Sequence, residues 1–152
     1  MSGKFFEFKI KVASEDEAKN KLGSLTFGEP RVRDVIDTYL ITSPGATEKI
    51  YESGDKIFYT VVRKTKDGFE MDAQLIGEAE KQRLLNENKT DKVFKKQRRI
   101  WNVDGIDVVI DRVEGLGAFI EFQGRDKQKL LDFIKSLGFS PEDFVLQPYN
   151  KL

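Results

Sequence analysis

The amino-acid sequence predicts an α+β fold, in which eight short β segments form an antiparallel sheet beside three or four short helices. Apolar and polar side chains alternate with the period of two that is typical of strands, and short turns rich in Gly, Asp and Ser separate the segments. A sheet of this size must protect its edges, and closure into a barrel does so while directing alternate side chains into one interior. We therefore predict a closed eight-stranded antiparallel β-barrel with flanking helices, and a sandwich with a helix layer is the alternative.

The N-terminal segment shows the alternation most clearly. Residues 4–12 place four apolar side chains on one face and mainly polar side chains on the other. The apolar face comprises Phe6, Phe8, Ile10 and Val12. Ser14 followed by Glu17 forms a helix-capping box, which predicts a short helix that ends near Gly23.

Four further strand signals follow and are interpreted as hairpins. They cover residues 33–41, 47–52, 55–64 and 68–75. The turns between them are predicted at Ser43-Pro44-Gly45, Ser53-Gly54-Asp55 and Lys66-Asp67-Gly68.

The second half of the chain contains a predicted helix at 77–86 and three more strands. These strands cover 92–102, 106–113 and 118–124. Asp104-Gly105 is a tight hairpin turn, and an amphipathic helix over 126–137 ends at Gly138. Ser140-Pro141 begins a last helical turn. A length of 152 residues suits one hydrophobic core, so we expect a single domain over residues 1–152.

Composition limits the possible chemistry. The chain has no His, which excludes the commonest general base and the commonest zinc ligand, and it has no Cys for disulfides or thiolate chemistry. An enzyme of this composition would depend on carboxylates that hold a hard metal such as Mg²⁺ or Mn²⁺, assisted by Lys, Arg or Tyr. Those groups are typical of sites that act on phosphates.

Charge and hydropathy indicate the environment. Lys plus Arg number 26 and Asp plus Glu number 26, so no overall field favours nucleic acid as a partner. The sequence shows neither a signal-peptide pattern nor an apolar stretch of the ~20 residues that cross a bilayer. We expect a cytoplasmic protein without a membrane partner, as a monomer or homodimer.

A set of motifs occurs in a characteristic order along the chain. They are Glu7-Phe8-Lys9, Asp37-Thr38-Tyr39, Arg63, Glu70-Met71-Asp72, KKQRRIW at 95–101, Gly105 and VIDRVEGLGAFIEF at 109–122. Together they resemble the CYTH family, the triphosphate tunnel metalloenzymes. That family includes class IV adenylate cyclases, thiamine triphosphatases and inorganic triphosphatases.

The resemblance implies a barrel interior that grips a triphosphate-bearing small molecule with basic residues and holds Mg²⁺ or Mn²⁺ with carboxylates. It implies phosphate-binding roles for Lys9, Lys11, Lys49, Arg63, Lys96 and Arg98. It implies metal ligation by Glu7, Asp111 and Glu121, and catalytic roles for Glu7, Lys9 and Glu121. The implied activity is that of a metal-dependent phosphohydrolase or a cyclase-like enzyme.

Three positions depart from the family pattern. Phe5 stands where the first Glu of E-x-E-x-K belongs, Tyr51 replaces a basic residue, and Gln123 replaces the second Glu of the closing E-x-E. Because a neutral amide is a poorer ligand for a hard cation than a carboxylate, a triphosphate-binding module with little or no catalysis is the alternative function.

Simpler interpretations of the same residues remain open. Glu7, Lys9 and Lys11 alternate as they would on the solvated face of an edge strand. The basic run at 95–99 is also consistent with a solvated face or an RNA-binding patch. Trp101 is expected in the core.

Overall fold

In the computed structural model, which describes residues 1–42 and 46–152, eight antiparallel strands close into one barrel in the order β1-β5-β4-β3-β2-β6-β7-β8. The strands are β1 (Gly3–Val12), β2 (Arg31–Ile41), β3 (Thr47–Ser53), β4 (Lys56–Lys64), β5 (Phe69–Ile76), β6 (Lys89–Val103), β7 (Ile106–Val113) and β8 (Gly117–Gly124). The predicted closed barrel is confirmed. The predicted turn Ser43-Pro44-Gly45 lies outside the described residues.

In the described part of the chain, three short α-helices accompany the barrel. They are α1 (Glu15–Leu22), α2 (Glu78–Glu87) and α3 (Lys127–Ser136). Half of the predicted capping box is present, because Ser14 Oγ accepts a hydrogen bond of 3.1 Å from the Glu17 backbone N–H. The Glu17 carboxylate accepts from the Ala13 backbone N–H rather than from that of Ser14, and α1 ends at Gly23 with a φ of 58°. Short 3₁₀ turns lie at Gly23–Thr26, Pro141–Asp143 and Tyr149–Lys151.

The main hydrophobic core lies outside the barrel wall, between the strands and the helices. The outward faces of β1, β7 and β8 pack against apolar side chains of α1 and α3. The core includes Phe8, Ile10, Leu22, Trp101, Val108, Ile110, Ile120, Phe122, Leu130 and Ile134. The core position expected for Trp101 is confirmed, and its indole N–H donates to the Gly28 carbonyl at 2.8 Å. Because this core takes the apolar face of those strands, their other face is free to carry polar groups inward.

The C-terminal segment closes one end of the barrel. It runs back beside β1, where the Val145 backbone N–H donates to the Lys9 carbonyl at 2.8 Å. Beyond it, Tyr149 is 1% exposed and packs edge-on against Phe119 at a centroid distance of 4.9 Å. We call the four rings at this end the aromatic cluster: Tyr39, Phe94, Phe119 and Tyr149.

None of the helices in the described ranges is long and apolar enough to cross a bilayer.

Candidate functional site

The barrel contains a cavity of about 620 Å³ at the end opposite the aromatic cluster. Of the predicted site residues, Glu7, Lys49 and Arg98 line it. Its mouth carries three more basic residues, Arg31, Arg33 and Lys56, which lie where β2 and β4 begin.

Sequence reasoning missed these mouth residues. Arg31 and Arg33 have the same parity as the interior residues Val35 and Asp37. Arg33 already lay in the predicted strand, so parity alone would have found it, and extending the strand by two residues would have added Arg31. Lys56 follows a Gly-Asp turn, where strand parity cannot be fixed from the sequence.

Below the cavity, Asp37 holds two lysines. Its Oδ2 atom lies 2.7 Å from Lys96 Nζ and 3.2 Å from Lys49 Nζ, and all three side chains are buried. Burial alone would raise the pKa of Asp37, but the two ammonium groups outweigh it and lower that pKa below its usual value. Burial likewise disfavours the charged lysines, yet Asp37 and other carboxylates raise the pKa of both. These three groups therefore form an internal ionised cluster.

Arg98 bridges two carboxylates on the neighbouring strands. Its Nε donates to Asp111 Oδ1 at 2.9 Å, and its Nη2 donates to Asp111 Oδ2 and Glu121 Oε2 at 2.8 Å each. The β6–β7 register places Arg98 directly opposite Asp111, which explains the bidentate contact. Burial opposes the charge, but these carboxylates raise the pKa of Arg98 well above its usual value.

Glu7 presents a carboxylate to the cavity. Gln123, its cross-strand partner on β8, donates to Glu7 Oε1 at 2.9 Å. Burial acts to raise the pKa of Glu7, but the charges of Lys9, Lys49 and Arg98 oppose it, and the pKa is lowered to about 2. Glu7 is therefore ionised throughout the neutral range.

Lys9 is buried one layer deeper. Its ammonium lies 3.7 Å from the centroid of the Tyr149 ring and 5.1 Å from that of Phe69. Burial lowers the pKa of Lys9 below its usual value, although Glu7 and Glu121 oppose the shift. Lys9 is thus the interior cation with the weakest charge compensation.

Tyr149 joins the aromatic cluster to the charged groups. Its hydroxyl donates to Glu121 Oε1 at 2.5 Å and approaches Asp111 Oδ2 at 3.3 Å. Burial and the neighbouring carboxylates raise its pKa well above the usual value, so it remains a neutral donor. Sequence reasoning missed this residue because a single Tyr in a C-terminal tail carries no local signal.

Two predicted phosphate-binding residues lie elsewhere. Lys11 is exposed beside the closed end, with its ammonium 4.5 Å from the centroid of Phe119. Arg63 is exposed on β4 opposite Glu70 of β5. Because Thr60 and Val62 face the interior, Arg63 points outward.

The basic run at 95–99 divides between the two faces of β6. Lys96 and Arg98 are buried inside, whereas Arg99 is half-buried on the other face and pairs with Glu15 of α1. The run therefore does not form one continuous basic patch.

The predicted metal ligands suit a hard divalent cation by chemical type but not by arrangement. Arg98 already donates to both oxygens of Asp111 and to one oxygen of Glu121, and Tyr149 donates to the other. Within the described ranges, no three acidic side chains are grouped to hold a metal ion. A cation bound at these carboxylates would first have to displace the Arg98 guanidinium.

Several solved structures share this fold. A conserved hypothetical protein from Pyrococcus furiosus is 22% identical, with a TM-score of 0.77 and coverage of 97% of this chain and 99% of that one. The PH1012 protein from Pyrococcus horikoshii is 20% identical, with a TM-score of 0.80 and coverage of 97% and 98%. A Vibrio parahaemolyticus protein provisionally named an adenylate cyclase is 18% identical, with a TM-score of 0.71 and coverage of 99% and 98%. At these identities the likeness establishes the fold alone.

Among curated proteins, none matches the sequence. The family, in contrast, is clear from nearly the whole chain. Residues 4–149 match the CYTH domain, and the chain therefore belongs to the CYTH family.

Proposed function

We propose that this protein binds a triphosphate-bearing small molecule in the open end of its barrel and acts on it as a phosphohydrolase or cyclase-like enzyme. Members of the CYTH family act on triphosphates and typically require a divalent metal. Since Asp111 and Glu121 are occupied by Arg98, we propose that Mg²⁺ or Mn²⁺ enters as the metal complex of the triphosphate.

The observation that supports this proposal most is the meeting of cations from different strands around one cavity. Lys49 of β3 and Arg98 of β6 lie on its inner wall, and Arg31, Arg33 and Lys56 surround its mouth. Arg meets phosphate oxygens with paired, charge-assisted hydrogen bonds, and Lys adds a point charge. Burial strengthens these attractions because they are less screened than at the surface.

The predicted catalytic residues, Glu7, Lys9 and Glu121, would have different roles. Glu7 faces the cavity as a permanent carboxylate and would orient an attacking water molecule beside the phosphate chain. Lys9 and Glu121 lie behind it and would act as positioning residues, since Lys9 contributes charge to Glu7 and Glu121 accepts from the same Gln123 amide that donates to Glu7. The predicted substrate contacts are then Lys49 and Arg98, with Lys96 holding Asp37 and thereby Lys49 in place.

The test is turnover of ATP, thiamine triphosphate and tripolyphosphate with Mg²⁺ or Mn²⁺, for the wild type and Lys49→Met. We expect the substitution to lower kcat/KM at least tenfold, because it removes a cation from the cavity wall. Arg63→Gln is the matched control and should leave the rate unchanged, since Arg63 lies on the outer face. Equal rates for the wild type and Lys49→Met, or no turnover of any of the three, would contradict enzymatic action.

A second candidate function is triphosphate binding with little or no turnover. It is favoured by the charge balance of the interior cluster, where Lys9, Lys49, Lys96 and Arg98 are matched by Glu7, Asp37, Asp111 and Glu121. The fifth buried acid, Asp107, lies 3.6 Å from Arg31 at the mouth. A polyanion entering such an electrically neutral interior gains less than it would from unpaired cations. Phe5 and Gln123, which replace expected carboxylates, favour it too. Calorimetry that shows binding of a triphosphate without product formation would support this alternative over the enzyme.

A further inference from the structure

Part of the cavity wall is apolar, and it adjoins the phosphate-binding candidates, because Tyr51 and Ile100 lie two positions from Lys49 and Arg98 on the same strands. It is formed by strands β1, β3, β4 and β5, and it also receives a residue of β6. Its members are Phe5, Tyr51, Phe58, Met71, Ala73 and Ile100. The inward positions of β4 and β5 that line the cavity are uncharged: Phe58 and Thr60 on β4, and Met71 and Ala73 on β5. Arg63 and Glu70 of the same strands do not line the cavity and therefore add no charge to it.

The rings on this wall stand directly beside the cations. Tyr51 lies opposite Phe58 in the β3–β4 register, and their ring centroids are 6.1 Å apart at 69°. The Tyr51 ring centroid is also 5.6 Å from Arg98 Cζ and 5.9 Å from Lys49 Nζ. Tyr51 therefore connects the Phe58 ring to the two cations that would hold the phosphates.

The cavity is also larger than a bare phosphate chain requires. Its volume of about 620 Å³ falls in the range of pockets that take ligands of about drug size, ~300–1,000 Å³. Tripolyphosphate would fill the charged side and leave water against Phe5, Phe58 and Met71, which is unfavourable for apolar surface. A ligand with a flat apolar part would cover that surface.

Resting on the proposed function, we propose that the site is built for an organic triphosphate carrying a flat heteroaromatic group, with the phosphates on Lys49 and Arg98 and the ring against Phe58 and Phe5. Stacking of a heteroaromatic ring on an aromatic side chain contributes enough to change affinity by tenfold or more. Phe5, which cannot bind metal, then has a positive role in selecting the organic part. Nucleobases and the pyrimidine of thiamine share the required chemistry.

The experiment compares dissociation constants for ATP, thiamine triphosphate and tripolyphosphate, measured by calorimetry in one Mg²⁺ buffer. We expect at least one organic triphosphate to bind about tenfold or more tightly than tripolyphosphate. Phe58→Leu keeps an apolar side chain but removes the ring, so it should abolish that preference while leaving tripolyphosphate binding unchanged. Phe27→Leu, at a residue that is 84% exposed, is the control and should change neither affinity.

The outcomes separate the two proposals. If tripolyphosphate binds as tightly as both organic compounds and Phe58→Leu has no effect, the inference is overturned while the triphosphate site stands. If none of the three compounds binds, the proposed function fails and the inference with it. Tight binding of ATP alone, or of thiamine triphosphate alone, supports the inference and identifies the nucleobase or the thiamine pyrimidine as the preferred ring.

Discussion

The ionisation of the interior side chains is set by partners on neighbouring strands. Arg98 is held by Asp111 across the β6–β7 register, and Lys49 and Lys96 share the single oxygen Oδ2 of Asp37. Lys9 differs, because its ammonium lies against the rings of Phe69 and Tyr149 and its pKa is lowered by burial. Removal of one member of such a group leaves the others buried without compensation, which costs far more than loss of an exposed ion pair.

We expect Asp37→Asn to lower the free energy of unfolding at pH 7 by about 3–5 kcal/mol, since two buried lysines lose their shared carboxylate. The pKa of Asp37 lies below its ordinary 3.8, so its stabilising contribution is complete above that pH and is lost as the pH falls below it. Urea denaturation at several pH values should therefore show a difference between wild type and variant that shrinks in acid. Asp34→Asn, an exposed position on the same strand, is the control and should change stability by less than about 0.5 kcal/mol. A difference that stays constant down to low pH would contradict the assignment.

At the scale of the elements, a close contact joins β1 to Gly68, the residue just before β5. Gly68 lies so close to β1 that a Cβ atom built there would approach the Glu7 carbonyl oxygen and the Phe8 ring at 2.7 Å each. Because the β5 partner of Glu7 is Phe69, this contact sets the position of the cavity carboxylate. Only a residue without a side chain fits without movement of the strand.

We expect Gly68→Ala to lower the free energy of unfolding by about 1–3 kcal/mol, because the methyl group meets backbone that cannot rotate away. Thermal and urea denaturation measure this change. At Gly28 a Cβ would meet nothing within 4 Å, so Gly28→Ala should leave stability nearly unchanged. Equal effects at the two glycines would show that the close approach has no energetic weight.

The strands were predictable because alternation and turn residues are local signals, and even β6 differs only at its ends, which are Lys89 and Val103 rather than 92 and 102. The inward face of β4 was not predictable, because Ile57, Phe58, Tyr59 and Val61 are apolar or aromatic at both parities. The pairing of Arg98 with Asp111 also depends on register, which the sequence does not state. Such long-range information decides which predicted basic residues reach the cavity.

At the scale of the whole molecule, the main apolar core and the proposed binding site lie on opposite faces of the same strands. The core between helices and barrel wall is apolar, with Leu130 and Ile134 at 0% and 1% exposure, whereas the interior of the same wall carries Glu121 and Gln123. Changes in the two regions should therefore have separable effects.

We expect Leu130→Ala to lower the free energy of unfolding by about 2–5 kcal/mol, because it leaves a void between α3 and β8. Triphosphate affinity, measured by calorimetry at a temperature where the variant stays folded, should change less than about twofold. Leu75→Ala, at a residue 65% exposed, is the matched control for loss of the same side chain. An affinity that falls in step with stability would indicate that the two faces are coupled.

The aromatic cluster has a kinetic consequence. With Tyr149 seated among Phe94, Phe119 and Tyr39, the far end is filled, and the cavity is a blind pocket reached from the side of Arg31 and Lys56. A molecule that enters through this opening must leave through it before another molecule can bind. Reaction products that stay bound at Lys49 and Arg98 would therefore block binding of the next substrate molecule. Product inhibition is the expected consequence of a pocket with a single opening.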